Sequence, residues 1–404
     1  MGEGLGGKEV DVKLRNSEIA AYVLLVLPLL VTTTLPATIR VPSERLTIQE
    51  GINAAVDGDT VLVADGVYVG NGNSNIRFGG KGILVVSQHG ASATIVDASQ
   101  IPTVPRQVFI FDAAEDSTSI LDGFTITGGY NNSEVWPGGA GVKCYQSSPN
   151  IRNCIVKGNT VFTTHPLGAG GAGVFTFEGA PVIENCTFIK NHGNYAAAIL
   201  SINSRLRIRN CLISANVSIW SGPPVEYVAD YFAATFECCN LYGNSPGDWI
   251  GQIAGLVDSN GNMALDPLLC DTASGDLSIM SNSPCAPSNN TCGLLIGALS
   301  VGCEPVGVEY QNSSHLPSTP NLSNNYPNPF NGTTQIRFSL PQHSSVKLTV
   351  VDVLGREVKT LAKGEWKAGT YTATWDAEKS SSGVYFCVLE ANGIKLTRKM
   401  VLLK

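Results

Sequence analysis

Aromatic and ionisable side chains recur together in four stretches of this chain, 130–137, 160–167, 217–231 and 245–255. The stretches hold Tyr130, Trp136, Phe162, Trp220, Tyr227, Tyr231 and Trp249, with Glu134, His165, Glu226, Asp230 and Asp248 beside them. Aromatic faces set in a row can stack on sugar rings, and nearby carboxylates or imidazoles can hydrogen-bond hydroxyls or carry a proton. The expected substrate-binding residues are Trp136, His165, Trp220, Tyr227, Asp230, Tyr231 and Trp249. Any one ring is as well suited to covering an apolar surface. His192, alone in its turn, reads as structural or solvated. What distinguishes the set is that every stretch leaves the chain at the same point of a repeat, so the stretches should line one side of whatever that repeat builds.

The repeat runs from Leu121 to Asn244. Aligned segments begin at Leu121, Ile151, Ile183, Ile208 and Phe236. Their first column is apolar, and the fourth holds Phe124, Cys154, Cys186, Cys211 and Cys239. The sixth holds Ile126, Val156, Phe188, Ile213 and Leu241, and the ninth Gly129, Asn159, Asn191, Asn216 and Asn244. Fourth-column anchors are 30, 32, 25 and 28 residues apart, a period that signals stacked units rather than separate globules. Columns four and six share a strand face, whereas columns one and four have opposite parity, so the chain must bend between them. Asn153, Asn185 and Asn210 sit at that bend, where Asn tolerates left-handed backbone and its amide can bond to the next rung.

The second column reads Asp122, Arg152, Glu184, Arg209, Glu237, alternating in sign. With rungs about 4.8 Å apart, each opposite pair contributes only about 0.2–1 kcal/mol, yet a slip of one rung would set like charges together. This ladder reads as a register device rather than as catalytic groups. A longer motif supports the frame: GGAGV at 138–142 and 170–174, with AAAIL at 196–200, places Val142, Val174 and Ile199 each 12 residues before a cysteine.

With 404 residues, 43 Gly and 21 Pro, the chain favours many short strands over helices. A formal charge of −7 and the lack of a long basic run exclude nucleic acid as an expected partner, and an acidic glycan would need a local basic patch. The apolar run 19–35 followed by Pro-Ala-Thr fits a secretory signal ending near Ala37, and at 17 residues with Pro28 it is short for a membrane span. Of eleven cysteines, Cys154, Cys186, Cys211 and Cys239 should point the same way on successive rungs, about 4.8 Å apart against about 3.8 Å for bridged Cβ atoms, and read as buried thiols. Cys270, Cys285, Cys292 and Cys303 lie in a loop-rich stretch that an exported protein could staple; three pairings are open.

Residues 47–71 read as a short amphipathic helix, an Asp-Gly-Asp turn, a buried strand and a Gly-Val-Tyr corner, the helix capping the first rung. That opening and the Asn-Cys coils resemble the right-handed parallel β-helices of the pectin-lyase-like superfamily over roughly 45–303. The resemblance implies an all-β fold that hosts lyases, hydrolases, esterases, adhesins and inert stalks. Further coils are expected at 77–96 and 107–129, and a closing cap from 245 to 303.

A Pro-, Ser- and Asn-rich linker is expected at 304–325. Beyond it, alternating strands at 334–340, 346–353, 356–362, 370–376, 383–390 and 394–403 indicate a small sandwich. YPNPF at 326–330, VDVLG at 351–355, GVY at 383–385 and the terminal KMVLLK resemble the C-terminal sorting domains of type IX secretion cargo, with their Ig-like fold. The resemblance implies outer-membrane secretion machinery as a partner and a secreted or outer-surface location.

No catalytic residue transfers from known branches. Gly70 stands where the Gly-x-Tyr-x-Glu opening of pectin methylesterases has its acid, and the Asn-Thr-Asp, Asp-Asp and Gly-His-Gly series of polygalacturonases is missing. No cofactor is expected, with calcium the one ion left open. The expected organisation is a signal at 1–37, a right-handed parallel β-helix at 38–303, a linker at 304–325 and an Ig-like sandwich at 326–404. The expected function is binding of polysaccharide or cell-surface glycan in the loop groove, with cleavage as a polysaccharide lyase or glycoside hydrolase left open. The competing reading is a non-catalytic adhesin or structural envelope protein.

Overall fold

The computed structural model describes residues 35–133, 138–162, 170–220, 222–228, 233–272, 274–303, 308–311 and 319–404. Almost all of the segment read as a signal, and the site candidates Trp136, His165, Asp230 and Tyr231, lie outside the described residues.

Three parallel sheets stack coil upon coil into a β-helix. The first face has eight strands, from Thr38–Val41 and Thr60–Val63 through Asn150–Arg152 and Val182–Glu184 to Arg207–Arg209 and Thr235–Glu237. The second has seven, including Ile155–Lys157, Thr187–Ile189 and Leu212–Ser214. The third has six, including Val142–Tyr145, Val174–Phe177, Ile199–Ile202 and Val225–Val228. The register matches the repeat: Ile151 pairs with Leu121 and Ile183, Val156 with Ile126 and Phe188, and Val142 with Val174. First-, fourth- and sixth-column side chains are buried along one continuous core, each aliphatic contributing about 1.5–3 kcal/mol.

In the coils from Gly139 to Ala215 the chain takes a left-handed φ four times per coil, including at the corners between faces. Asn153, Asn185, Asn210 and Cys238 take φ of 54, 50, 49 and 55° between the first and second faces. Lys190 and Ala215, at 55 and 53°, occupy the kink just before the ninth column, where an L-residue pays about 1–2 kcal/mol.

The amide stack lies in the ninth column, not at the Asn153 corner. Asn159 Nδ2 donates to Asn191 Oδ1 at 3.1 Å, Asn191 Nδ2 to Asn216 Oδ1 at 2.9 Å and Asn216 Nδ2 to Asn244 Oδ1 at 2.9 Å. Each of those oxygens also accepts the backbone N–H of the preceding Asn. Asp248 ends the stack by accepting from the backbone N and Nδ2 of Asn244, both at 2.8 Å. At the corner, the single amide contact from Asn185 Nδ2 to Asn153 Oδ1 is 3.5 Å long.

In the charge ladder, Arg152 bonds Asp122 at 2.8 Å and Arg209 bonds Glu237 at 3.3 Å. The four ladder cysteines are reduced and fully buried. Cys292 pairs with Cys238, Cys270 pairs with Cys303, and Cys285 stays free. The expectation that bridges would form only among the last four cysteines therefore missed Cys238, whose left-handed corner faces the returning chain.

Helix Ile48–Ala54, capped by Thr47 Oγ1 accepting from the Glu50 N–H, covers the first coil with Ile48 and Ile52. At the far end Trp249 and the 3-10 turn Gly251–Leu256 close the core. Residues 264–303 do not continue the cap. They fold back along the outside of the second face, where Ala298 N donates to Thr187 Oγ1 and Leu277, Ala298 and Leu299 cover Ile155 and Ile189.

The C-terminal part is two four-stranded antiparallel sheets around one core of Ile336, Phe338, Leu348, Trp366, Trp375 and Leu389. The six expected strands all form. The stretch read as a linker is partly strand: Val308–Gln311 pairs with Gly369–Asp376, and Asn321–Leu322 with Thr333–Leu340. Among the described residues no helix is long and apolar enough to cross a membrane.

Candidate functional site

The outer surface of the third face is the one on which Gly138 and Gly222 approach aromatic rings, Phe175 and Tyr195. Its strands alternate: Val142, Cys144, Val174, Thr176, Ile199, Ser201 and Val225 face the core. Lys143, Tyr145, Phe175, Phe177, Leu200 and Glu226 therefore face out. Register places Tyr145 directly beside Phe177, and their rings stack nearly parallel, 7° apart in tilt with centroids at 5.1 Å. Lys143 Nζ lies 5.9 Å from the Tyr145 centroid, within cation–π reach.

A fourth, short ladder of Tyr130–Asn131, Thr160–Val161, His192–Gly193 and Val217–Ser218 lies between the second and third faces in chain order. Backbone comes so close that a Cβ on Gly138 would stand 2.2 Å from the Phe175 ring, and one on Gly222 2.6 Å from the Tyr195 ring. Glycine is thus required where the loops press on the outward aromatics. Phe175, Ala196 and Leu200, with Phe177, Tyr195 and Ile202, form an apolar cluster on the outside of the β-helix.

Polar groups on this face are few and desolvated. Partial burial pushes the Lys143 ammonium down, with the Asp112 carboxylate opposing and the Arg77 guanidinium adding to the shift. Arg77 and Asp112 form an ion pair at the first rungs of the face. Desolvation pushes the Glu226 carboxyl up, and the Tyr195 phenol is raised by its own burial and then by the Glu226 charge. Lys143 and Glu226 lie three rungs apart in one column, about 14 Å at the spacing of parallel strands, too far to act on one bond. Among the described residues no group of three His, Cys, Asp or Glu is placed to hold a metal ion.

The structure places the expected site residues unevenly. Trp220 is 46% exposed, its backbone N–H donating to the Asn194 carbonyl. Tyr227 belongs to a strand of the third face and packs against the internal core, so the stretch read as one long insertion, 217–231, contains a rung. Trp249 is buried against Phe236 at 5.6 Å, its indole N–H donating to Met263 O. Trp249 and Tyr227 thus pack toward the core, and Asp248 serves the amide stack. Tyr145, Phe177 and Lys143 were missed, although the alternation beginning at Val142 and Val174 places Tyr145 and Phe177 in one outward column.

The tail brings its four sequence motifs to one end of the sandwich. Asp352 pairs with Tyr385, Gly383 with Leu402, and Phe330 bridges Leu402. Trp375 lies 5.3 Å from Phe330 and 5.0 Å from Tyr385, holding them together. Two clefts lie between the other end of the sandwich and residues 264–269, where Lys363 Nζ bonds Asp266 Oδ2 at 2.7 Å. Comparison with known proteins finds no curated protein and no solved structure that matches the chain. Residues 324–403 match the secretion system C-terminal sorting domain, and the chain is accordingly cargo of type IX secretion, delivered to the cell surface or outside.

Proposed function

We propose that this exported β-helix binds polysaccharide on the outer surface of its third face, with the stacked Tyr145–Phe177 pair as the platform for a sugar ring. The observation that carries the reading is that pair, half-buried and nearly coplanar. Flat apolar faces with a desolvated ammonium beside them suit the C–H faces and hydroxyls of a saccharide. The same reading groups the stack with the pectin-lyase-like β-helices and the tail with Ig-like sandwiches, supported by the three parallel sheets and by the two antiparallel ones.

Binding is preferred to cleavage in this reading because Lys143 and Glu226, about 14 Å apart at the spacing of parallel strands, do not converge on one bond. The protein then serves as an adhesin or envelope component whose coils hold the platform away from its attachment. Incubation with a panel of neutral and acidic polysaccharides, read as retention, new reducing ends and unsaturated-uronide absorbance, tests both parts. Retention without new ends is expected. New ends or uronide absorbance would overturn the non-catalytic part, and no retention on any glycan would overturn the reading itself.

A further inference from the structure

The first face carries a feature that its charge ladder does not need. Along the outward column running Thr60, Leu84, Ile120, Asn150, Val182, Arg207 and Thr235, Arg207 is the sole charged residue. Its neighbours across the strands are Val182 and Thr235, so no carboxylate sits beside it in register, and it makes no ion pair among the described residues. Arg205 and Arg209 flank it at alternate positions, and all three are exposed. In a chain of net charge −7 this is a local reversal of sign.

Arg207 and Arg209 lie on the floor of an open cleft of about 620 Å³, within the ~300–1,000 Å³ typical of small-ligand sites. The opposite wall is the chain at Asn260, Gly261, Thr291 and Cys292, fixed in two ways. Cys292 is bonded to Cys238 on the strand end beneath it, and Cys238 N donates to Asn260 O at 2.9 Å. A Cβ on Gly261 would stand 2.3 Å from Cys292 Sγ. Asn260 and Thr291 line the same cleft as Arg207 and Arg209. Glu237 holds Arg209 at 3.3 Å, which leaves Arg207 as the uncompensated charge.

We infer that this cleft is a second binding site, separate from the third face, for a carboxylate- or sulfate-bearing saccharide. Planar guanidinium groups bind both oxyanions through paired hydrogen bonds, and strand geometry sets Arg207 and Arg209 about 6.6–6.8 Å apart along the face, a span that lets them engage neighbouring groups of one polymer. Glu237 tempers the site, since an incoming anion must compete with it for Arg209.

The test measures binding of the full chain to polygalacturonate, dextran sulfate and neutral dextran at low and moderate salt. Binding to at least one polyanion, weakening with salt, and weaker or no binding to neutral dextran are expected; preference between the two polyanions identifies carboxylate or sulfate as the source. Arg207→Ala should weaken polyanion binding about tenfold or more, as expected for losing a charged hydrogen-bonding partner, and Glu237→Gln should strengthen it. Arg207 is exposed, so its loss should leave the melting temperature unchanged. Lack of binding to either polyanion, equal binding by Arg207→Ala, or equal binding of neutral dextran would overturn the inference. Tyr145→Ala, on another face, should leave polyanion binding at this cleft intact, which separates failure of this site from failure of the third-face reading.

Discussion

Asn191 and Asn216 are joined twice across one rung: the backbone N–H and the Nδ2 of Asn191 both donate to Asn216 Oδ1, at 3.1 and 2.9 Å. Both residues are fully buried, so this oxygen, with the Val156 carbonyl that also accepts from Asn191 Nδ2 at 2.9 Å, replaces water. Asn191 in turn accepts from Asn159 N and Nδ2. Asn191→Ala leaves the buried Asn159 backbone N–H without its acceptor, while Asn159 Nδ2 keeps the Ile126 and Lys157 carbonyls, so it should cost about 1–3 kcal/mol by denaturant unfolding. Asn185→Gly, at a corner where the left-handed backbone is the requirement and the amide contact is long, should cost less than about 1 kcal/mol.

Burial pushes the Cys239 thiol up to about 12 and the Cys285 thiol up to about 11, and Cys154 and Cys186 are likewise raised. Alkylation requires the thiolate. Iodoacetamide at pH 8 should therefore leave the native protein unlabelled, label seven cysteines after unfolding, and label all eleven after reduction as well. Rapid native labelling of any ladder cysteine would place it outside the core.

Glu226 supplies a pH dependence of defined sign. Its carboxyl is raised above the ordinary value of 4.5 by desolvation, so the folded chain holds this proton more tightly than the unfolded one. The resulting stability is present below that value and is lost as pH rises through the higher folded value. Glu226→Gln should flatten the stability profile across that window, measured as midpoint against pH, and stabilise the protein relative to wild type above it.

Trp375 is 2% exposed between Phe330 and Tyr385. Its replacement by Ala should cost the sandwich about 3–5 kcal/mol and separate the motifs that the sorting family shares. Both Trp375→Ala and deletion of 324–403 should leave the protein in the periplasm of its native host, measured by fractionation. Normal surface delivery of the deleted form would contradict the sorting role.

The stack was legible in the sequence because a rung can bury only what the rungs above and below also bury: Ile151, Cys154 and Val156 recur in Ile183, Cys186 and Phe188. The tail was legible for the same reason, through alternation in its six strands. Other features depend on contacts that local pattern does not encode. Asn153 and Asn159 are alike in letter, yet one is chosen for its backbone angle and the other for its amide. Trp249 resembles the ring of Trp220 in composition, but it follows the last rung, where an open core demands a lid. Cys238 gained a partner only because residues 264–303 turn back along the second face, a return that no periodicity announces. Tyr145 and Phe177 stand on rungs rather than in the aromatic-rich loops, where strand parity puts them side by side.

The most direct test of the platform is the affinity of the full chain for whichever glycan the panel retains, compared with that of the Tyr145→Ala/Phe177→Ala double variant. Each aromatic face is worth about 0.5–1.5 kcal/mol, so the account predicts binding weakened about fivefold or more with the coil stack intact by circular dichroism. Unchanged affinity in a folded double variant would contradict it.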